Sequence, residues 1–320
     1  MSGVNVALTG LAGYIAPRHL QAIRETGNRL VAAVDPHDSV GQIDQYFPEA
    51  AFFTEFERFD RHLERLRRGP EDGRVGLVSV CAPNHLHDAH VRLALRVGAD
   101  ALCEKPLVLN PWNLDGLAEL EAETENRVYT VLQLRVHPAL VALRERLLAA
   151  AAADGPRYAV RLTYVTTRGT WYRYSWKGDD RKSGGVATNI GVHFFDLLLW
   201  LFGPAEGQAV HVREDDRAAG TLRLARADVQ WFLSLRPGDL PAASRGTQPT
   251  HRSITVDGDE VEFSGGFRDL HTLVYERTFA GQGFGIDDAR PSIELVHRIR
   301  TAALAPPGAD AHPFVVSADR

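Results

Sequence analysis

Short apolar segments alternate with amphipathic helical segments over the first 130 residues, and this alternation constrains the fold more than any other feature. The predicted strands lie at 4–10, 29–35, 76–83, 100–106 and 127–134, and the predicted helices at about 16–27, 87–98 and 113–125. Strands that are apolar on both faces and separated by helices are typical of a parallel sheet covered on both sides. We therefore predict an α/β fold whose first domain, residues 1–130, is a doubly wound parallel sheet.

The pattern changes after a predicted helix at roughly 138–153. Alternating polarity predicts strands at 157–167, 221–235 and 253–264. Asp257 and Gly258 predict a hairpin turn inside the last of them. Such strands are typical of an antiparallel sheet, and one face of that sheet must be covered by helices or by another subunit. We expect residues 131–320 to form a second α/β domain that takes part in oligomerisation.

Composition argues against several classes of partner. The net charge of −5 and a pI of about 6.2 do not indicate a nucleic-acid or anionic-membrane surface. The only two cysteines, Cys81 and Cys103, lack zinc-ligand spacing, which favours a reducing compartment. No signal-peptide pattern precedes the first strand, and the apolar stretch 194–202 is too short for a membrane span, so it predicts a buried helix. We expect a cytoplasmic protein without a metal.

Lysine is rare in this chain: 3 of the 36 basic residues are lysines and the others are arginines. An arginine keeps its proton in a protein, whereas the pKa of a lysine can be moved toward neutrality. Lys105, in "ALCEKPLVL", is therefore a candidate for proton chemistry. Compositional drift is the alternative explanation.

The turn after the first strand, "ALTGLAGYIAPRH", carries small residues at Gly10, Gly13 and Ala16. Small residues there let the backbone approach a pyrophosphate, which then accepts hydrogen bonds from the N-terminus of the following helix. We expect Tyr14 and Ile15, in the same turn, to contact the dinucleotide as well. The spacing differs from the usual G-x-G-x-x-G, and a tight turn without a ligand is the alternative.

Asp35 ends the second predicted strand, where an acidic residue accepts hydrogen bonds from the adenosine ribose of a bound dinucleotide. The alternative is that Asp35 only caps the loop. A ribose 2′-phosphate would be repelled by Asp35 and Asp38, so the sequence favours NAD over NADP.

The segment "APNHLHDAH" carries three histidines, His85, His87 and His90, at the start of a predicted helix. It contains neither a cysteine nor a carboxylate placed to complete a convincing ligand set, so a metal site is the weaker interpretation. We expect His87, with Pro83 and Asn84, to line the nicotinamide side of the cofactor crevice.

The segment 166–185, "TTRGTWYRYSWKGDDRKSGG", interleaves basic and aromatic side chains. Its predicted substrate contacts are Arg168, Trp171, Tyr172, Lys177 and Arg181. Cationic groups bind phosphates or a carboxylate, and an aromatic face can stack on uracil. The alternative is packing at a subunit interface, where the same residue types are enriched.

Five stretches, "GLAGYIAPRH", "APNHLH", "EKPL", "QLRVHPA" and "GGVATNIGVHFFDLLLWLFG", resemble the Gfo/Idh/MocA oxidoreductases in order and spacing. This resemblance implies an NAD-binding Rossmann domain over residues 1–130. It also implies a substrate-binding C-terminal α/β domain over residues 131–320, built on a large open sheet. We expect a homo-oligomer, either a dimer or a tetramer.

Further stretches, such as "RGTWY", "SWKGDDRKS", "RSITVDG" and "GFGIDDAR", are similar to the WlbA (WbpB) branch of UDP-N-acetyl-2-amino-2-deoxy-D-glucuronate (UDP-GlcNAcA) 3-dehydrogenases. This similarity implies oxidation of the sugar C3 hydroxyl by NAD in the synthesis of a diacetamido-uronic acid for O-antigen lipopolysaccharide. A PLP-dependent aminotransferase then acts on the ketone, and some members regenerate NAD with 2-oxoglutarate. The alternatives are another sugar or inositol dehydrogenase and a non-catalytic NAD-binding regulator.

Oxidation of an alcohol requires a general base with a pKa near neutrality. The resemblance pairs Lys105 with His193, and His193 has such a pKa without perturbation. We expect His193 to be the base and Lys105 to hold the oxygen, with the exchange of these roles left open. Glu104 is expected to orient Lys105 or the cofactor ribose, and Asp196, one helical turn after His193, to fix its tautomer. A lone histidine at the start of an apolar helix is the alternative.

Two positions depart from the family pattern. The residue four before His193 is usually Asp but is Asn189 here, so an Asp–His pair cannot be assumed, and we assign Asn189 to substrate binding. The lysine that commonly follows Gly98 is Ala99. Weaker candidates for contacts at the rim of the site are Arg135, His137, Asp287 and Arg290.

Overall fold

The computed structural model describes residues 3–38, 40–150, 157–246, 248–261, 263, 267 and 269–316. The chain divides into two compact units, the first formed by residues 1–136 and 268–290 and the second by residues 137–267 and 291–320. The predicted boundary at residue 130 stays a prediction.

Each unit contains one six-stranded sheet. In the described residues the strands are β1 Asn5–Thr9, β2 Arg29–Val34, β3 Ala51–Phe53, β4 Leu77–Val80, β5 Asp100–Cys103, β6 Val128–Thr130, β7 Tyr158–Thr166, β8 Ala205–Arg213, β9 Arg217–Leu224, β10 Ala227–Ser234, β11 Thr250–Val256 and β12 Asp259–Glu260. The α-helices are α1 Ala16–Glu25, α2 Phe56–Arg67, α3 His87–Arg96, α4 Pro111–Ala122, α5 Pro138–Ala149, α6 Trp171–Tyr174, α7 Asp180–Ser183, α8 Gly185–Asn189, α9 Val192–Phe202, α10 Leu270–Phe279, α11 Ile286–Thr301 and α12 Pro313–Val316.

The sheet of the first unit has the order β3-β2-β1-β4-β5-β6, and all its strand pairs are parallel. Its central strands are fully buried, as the apolar segments predicted. The predicted doubly wound sheet is thus confirmed. Strand β3 and helix α2 were not predicted; β3 has only three residues, all of them partly exposed. The turns that follow β1, β4 and β5 meet at one edge of the sheet, where such folds bind ligands.

Helix α1 shows how this edge acquires a buried polar group. Ala16, Leu20 and Ile23 recur at helical spacing and form its buried face, and Pro17 favours the start of the helix. His19 lies on the same face and is fully buried. An apolar helix face therefore carries one imidazole into the interior of the first unit.

The sheet of the second unit has the order β12-β11-β7-β10-β9-β8. Its pairs are antiparallel except for β7 with β10, which confirms the predicted mostly antiparallel sheet. The single strand predicted at 221–235 is wrong, since β9 and β10 are two strands joined at Ala225 and Arg226. These two residues give no glycine or proline turn signal. The turn at Asp257 and Gly258 is confirmed, and both residues have positive φ.

Helix α9 is the core helix of the second unit and confirms the buried helix predicted at 194–202. A Cβ at Gly191, just before this helix, would lie 2.5 Å from the Ala187 carbonyl oxygen, so glycine lets α8 and α9 approach closely. Within the described residues, no single helix has the length and hydropathy of a membrane span; Asp180–Asn189 and Val192–Phe202 reach them only together, bent by 43°. Residues 151–153 of the predicted helix, and 262 and 264 of the last predicted strand, lie outside the described residues.

Candidate active site

The turn between β1 and α1 is tight and packs against the residues that follow β4. Gly10 has a φ of +84°, and a Cβ there would lie 2.6 Å from the backbone of Cys81 and Ala82. Only glycine fits this position. The Gly13 N–H donates to the Gly10 carbonyl at 3.0 Å, which folds the turn into the start of α1, and Tyr14 projects from it with 90 % of its surface exposed. Glycine at position 10 therefore lets the turn pack against the residues that follow β4, and a tight turn of small residues at the start of a helix fits a dinucleotide.

Asp35 is buried at the end of β2 and braces the glycine turn. Its Oδ2 accepts from the Ala12 N–H at 2.9 Å, and its Oδ1 accepts from the His37 N–H at 2.9 Å. A carboxylate has about four acceptor sites, so each oxygen keeps a lone pair for a ribose hydroxyl. Asp35 therefore does cap the loop, as the alternative interpretation held. The contact of Asp35 with a ribose hydroxyl stays a prediction, and the two roles are compatible.

The histidines after β4 face different partners. The buried His87 ring places Nδ1 2.7 Å from the Pro106 carbonyl and Nε2 2.8 Å from the Ala82 carbonyl. His90 bonds Thr9 Oγ1 through Nδ1 at 2.9 Å, and burial lowers the pKa of His90 to about 4. Pro83 and the buried Asn84 form the turn between β4 and His87. His87 thus connects this turn with the segment that contains Lys105.

Glu104, at the end of β5, is the centre of a buried cluster that the sequence analysis did not find. Its Oε1 lies 3.0 Å from His19 Nε2 and 3.0 Å from His271 Nε2. Its Oε2 accepts from the Lys105 N–H at 3.2 Å. On the far side of His19, Nδ1 lies 2.8 Å from the hydroxyl of Tyr275.

Burial and hydrogen bonding set the charges in this cluster. Burial alone raises the pKa of Glu104, but the hydrogen bonds from His19 and His271 outweigh it and hold that pKa well below its usual range. Burial lowers the pKa of His19, more than its bond to Glu104 raises it. Burial also raises the pKa of Tyr275 well above its usual value. Near neutral pH the carboxylate is therefore ionised, His19 is neutral and Tyr275 keeps its proton.

In the second unit, two predicted substrate residues, Lys177 and Trp171, make a cation–π contact. The Lys177 ammonium lies 5.1 Å from the centre of the Trp171 ring and 4.7 Å from that of Trp176. Burial lowers the pKa of Lys177, and the nearby charge of Arg168 lowers it further. Arg181 projects with 93 % of its side chain exposed, 3.7 Å from Asp179. Lys177 therefore has aromatic neighbours, and Arg181 lies near an acidic one at the surface of the unit.

Tyr172 and Asn189 are buried together, and the Asn189 amide donates to the Tyr172 hydroxyl at 2.8 Å. Burial raises the pKa of Tyr172, so the phenol keeps its proton. Arg168 and Tyr172 also line a cavity of about 720 Å³. The same cavity is lined by Arg173 and by the acidic residues Glu214, Asp215 and Asp216.

This acidic run was missed by the sequence analysis, although "REDDR" is visible in the sequence. Arg173 pairs with Asp216 at 2.9 Å, and Arg236 pairs with both Glu214 and Asp216. Arg173, which lies within the predicted substrate segment, is therefore paired with an acidic group of the second unit, and these pairs do not involve the predicted contacts Arg168, Lys177 and Arg181.

His193 lies in the first turn of α9, partly exposed, and Asp196 lies one turn further on the same helix, buried. Their spacing follows the helical periodicity that predicted a shared face. Among the weaker rim candidates, Arg135 pairs with Asp288 at 2.9 Å and Arg290 with Asp115 at 2.8 Å.

Comparison with known proteins defines the class. The family model described as "Oxidoreductase family, NAD-binding Rossmann fold" matches residues 4–132, and "Oxidoreductase family, C-terminal alpha/beta domain" matches residues 157–244. Together these matches cover more than half of the chain, so the protein belongs to the Gfo/Idh/MocA oxidoreductase family. The predicted fold class, the oxidoreductase class and NAD as cofactor are confirmed.

The particular likeness is to the WlbA (WbpB) dehydrogenase of Thermus thermophilus. Its structures in complex with NAD and alpha-ketoglutarate and in complex with NAD and UDP-GlcNAcA are 55 % identical to this chain. The alignments cover 97 % of this chain and 99 % of that one, with TM-scores of 0.93 and 0.92. The predicted resemblance to this branch is confirmed.

Curated relatives are more distant. The UDP-N-acetylglucosamine 3-dehydrogenase of Acidithiobacillus ferrooxidans is 28 % identical over 72 % of this chain and 67 % of its own length. The putative UDP-kanosamine synthase oxidoreductase subunit of Amycolatopsis mediterranei is 31 % identical over 61 % of this chain and 58 % of its own length. The chain spans 40 to 58 % of the length of the first curated relatives that it matches.

Proposed function

We propose that this protein is an NAD-dependent dehydrogenase that oxidises the C3 hydroxyl of UDP-GlcNAcA to the 3-keto sugar. The observation that carries the proposal is the 55 % identity, over 97 % of the chain, with the Thermus protein solved with NAD and UDP-GlcNAcA. The likeness to a UDP-N-acetylglucosamine 3-dehydrogenase supports C3 as the position that reacts.

The first unit supplies the cofactor site in this proposal. Gly10 and Gly13, with Tyr14 and Ile15 beside them, hold the pyrophosphate, and Asp35 accepts from the adenosine ribose. Pro83, Asn84 and His87 line the nicotinamide side. When bound, NAD supplies the hydride acceptor for the reaction.

The proton chemistry falls to two side chains. His193 removes the C3 hydroxyl proton, because an unperturbed imidazole accepts a proton near neutral pH. Lys105 stays charged and stabilises the developing alkoxide, since a fixed cation at that oxygen is worth most where charge forms. Asp196 orients His193, and the exchange of roles between His193 and Lys105 remains the competing assignment.

Substrate recognition is assigned to the second unit. Arg168 and Arg181 meet the diphosphate or the uronate, and Trp171 with Lys177 forms a face for the uracil ring. Tyr172 and Asn189, already joined by a hydrogen bond, contribute polar contacts to the sugar.

The proposal also covers the recycling of the cofactor, the fate of the product, and the oligomeric state and location of the protein. The Thermus complex with alpha-ketoglutarate supports reoxidation of NADH by 2-oxoglutarate, which is reduced to 2-hydroxyglutarate. The product would pass to a PLP-dependent aminotransferase in the synthesis of a diacetamido-uronic acid for O-antigen lipopolysaccharide. A homo-oligomer located in the cytoplasm completes the proposal.

The test is mass spectrometry of the sugar nucleotide after incubation with NAD and 2-oxoglutarate. Absorbance alone is a poor readout, because a recycled cofactor does not accumulate as NADH. Loss of two hydrogens from the sugar nucleotide, with one 2-hydroxyglutarate per ketone, is the expected result. Loss of hydrogens without 2-hydroxyglutarate would remove the recycling step, and an unchanged UDP-GlcNAcA would overturn the proposed substrate.

A further inference from the structure

The hydrogen bonds around Glu104 form a consistent set of donors and acceptors when the His19 ring is neutral. An ionised carboxylate only accepts hydrogen bonds, so both Nε2 atoms, of His19 and of His271, donate to Glu104 Oε1. The Nδ1 of a neutral His19 then accepts, and the Tyr275 hydroxyl donates to it at 2.8 Å. Tyr275 in turn accepts from Ser79 Oγ at 2.6 Å. Every step has one donor and one acceptor.

This arrangement fixes both oxygens of Glu104. Oε1 takes two imidazole donors, from α1 and from α10, and Oε2 takes the backbone N–H of Lys105. The side chains of His19 and Glu104 are buried, and His271 is 3 % exposed, so water does not replace these donors. The backbone of Lys105 is therefore held by a carboxylate that cannot rotate without leaving a buried donor unsatisfied.

The next residue is held as well. The Pro106 carbonyl lies 2.7 Å from Nδ1 of the buried His87. Lys105 thus stands between Glu104, fixed by two histidines, and Pro106, in contact with a third. Three helices, α1, α3 and α10, contribute one imidazole each to a single short segment.

We propose that His19 and His271 are positioning residues that act through the buried Glu104 carboxylate to fix the segment from which the Lys105 side chain projects. The inference rests on the proposed function in taking Lys105 as a group that acts on substrate. It assigns no proton transfer to the histidines, because the chain of bonds ends at Ser79, which is fully buried.

A metal ion is the rival occupant of the same three side chains, since His19, Glu104 and His271 present their donor atoms within 4.8 Å of one another. The geometry favours hydrogen bonds, because both Nε2 atoms already lie at hydrogen-bond distance from the same oxygen. Zinc-bound imidazole nitrogens would instead point at a common centre about 2.0–2.1 Å away.

Substitution of His271 by glutamine or by asparagine tests the hydrogen-bond interpretation. A glutamine places its amide nitrogen near the position of Nε2, whereas an asparagine places it near Nδ1, and Nδ1 of His271 has no hydrogen-bond partner among the described residues. His271→Gln therefore keeps the donor to Glu104, and His271→Asn removes it. The two variants are matched in polarity and differ in the position of one N–H group.

The experiment measures single-turnover oxidation of UDP-GlcNAcA, NAD affinity and the thermal midpoint in both variants. We expect His271→Asn to lower the rate by about 10- to 100-fold, as a displaced reacting group does, and His271→Gln to retain most of it. NAD affinity should stay unchanged in both. Equal rates in the two variants would overturn the proposal, as would a stoichiometric metal in the purified protein that His271→Asn removes.

A second readout does not depend on activity. The chain has three lysines, so reductive methylation with ¹³C gives three lysine resonances beside that of the α-amino group, and Lys105→Arg identifies one of them. The Lys105 resonance should move toward the position of a free lysine in His271→Asn and stay in place in His271→Gln. If the wild type does not oxidise UDP-GlcNAcA, the proposed function fails while this readout still decides the inference. Resonances that coincide in the two variants would refute it.

Discussion

The segment around Lys105 and the segment 166–189 both carry predicted functional residues, but they are built in opposite ways. Around Lys105, the partners are buried and come from distant parts of the chain, and both oxygens of the Glu104 carboxylate accept hydrogen bonds. In the segment 166–189, Arg181 and Tyr174 project almost fully into solvent, and Asp179 pairs with its close sequence neighbours Arg181 and Lys182. The contrast fits a division between reaction and recognition: reacting groups need fixed positions, whereas recognition tolerates adjustable ones.

The two segments also differ in how their charge is set. The Glu104 carboxylate is a buried charge beside the neutral His19 imidazole and near the protonated Tyr275 phenol, and its hydrogen bonds rather than exposure to water keep it ionised. The segment 166–189 carries charged groups of both signs, and Asp179 pairs with Arg181 and Lys182. Exposed pairs of this kind contribute little energy and are screened by salt.

The largest effect is expected at the reacting groups. His193→Ala and Lys105→Met should each lower kcat by about 10²- to 10⁴-fold, the contribution of a positioned acid or base. Lys105→Arg separates two roles: it should keep part of the activity if Lys105 acts as a charge, and none if Lys105 accepts a proton, because arginine keeps its proton. Steady-state kinetics with NAD affinity as the control decides between them. Full activity in His193→Ala would remove the base from the mechanism.

The glycine turn should show the next largest effect. Gly10→Ala places a methyl group 2.6 Å from the backbone of Cys81 and Ala82, at a φ of +84°. We expect the Kd for NAD to rise by about 10- to 100-fold, because the substitution adds backbone strain of about 1–3 kcal/mol and displaces the turn that is proposed to bind the pyrophosphate.

The matched control for this prediction is Gly27→Ala. Gly27 has a φ of +72°, but a Cβ there meets no atom within 4 Å. The control should lower the thermal midpoint slightly and leave the Kd for NAD unchanged. If both variants bind NAD equally well, close approach at Gly10 does not form the cofactor site.

Acid should lower the free energy of unfolding through buried histidines, of which His90 in the first unit is one. Burial first, and then the charges of His87 and His85, lower the pKa of His90 from 6.5 to about 4. A histidine that is neutral when folded takes up its proton more readily when unfolded, so its stabilisation is lost as pH falls from about 6.5 to 4. The loss is roughly 3 kcal/mol, from 1.36 kcal/mol for each unit of pKa difference.

His90→Asn tests this assignment, since an asparagine keeps a polar atom near Nδ1 for Thr9 and does not titrate. Urea unfolding at pH 7 and at pH 4.5 should show a smaller difference in the variant than in the wild type. The buried His312 in the second unit, with its pKa lowered to about 3, should leave part of the pH dependence in place. The same pH dependence in both proteins would exclude His90 as its source.

The sequence predicted the parts of this protein that arise from local pattern. The parallel sheet of the first unit follows from alternating strand and helix segments, and the tight turn at Gly10 follows from small residues between the first strand and helix. His19 could have been found, because it interrupts the apolar face formed by Ala16, Leu20 and Ile23. A buried histidine on such a face needs a partner.

The partners themselves could not be found in this way. His271 is separated from Glu104 by 167 residues and Tyr275 from His19 by 256, and a single sequence carries no signal for such pairs. The same reason hid the acidic neighbours of the predicted substrate loop, because the pairing of Arg173 with Asp216 depends on how β8 and β9 approach that loop. Residue types indicated the chemistry, whereas the tertiary structure selected which charges neutralise one another.

The smallest effect is expected at Lys177, where it sharpens the contrast between the two segments. Lys177→Met removes the cation that lies over Trp171 and Trp176, an interaction worth about 0.5–1 kcal/mol in a partly exposed setting. The KM for UDP-GlcNAcA should rise by roughly two- to five-fold, with kcat unchanged, because the side chain recognises substrate without touching the reacting atoms. Lys182→Met, which removes only a pair with Asp179, should change the KM less. A large fall in kcat for Lys177→Met would instead place this lysine in the reaction and end the division between a fixed reacting segment and an adjustable recognition loop.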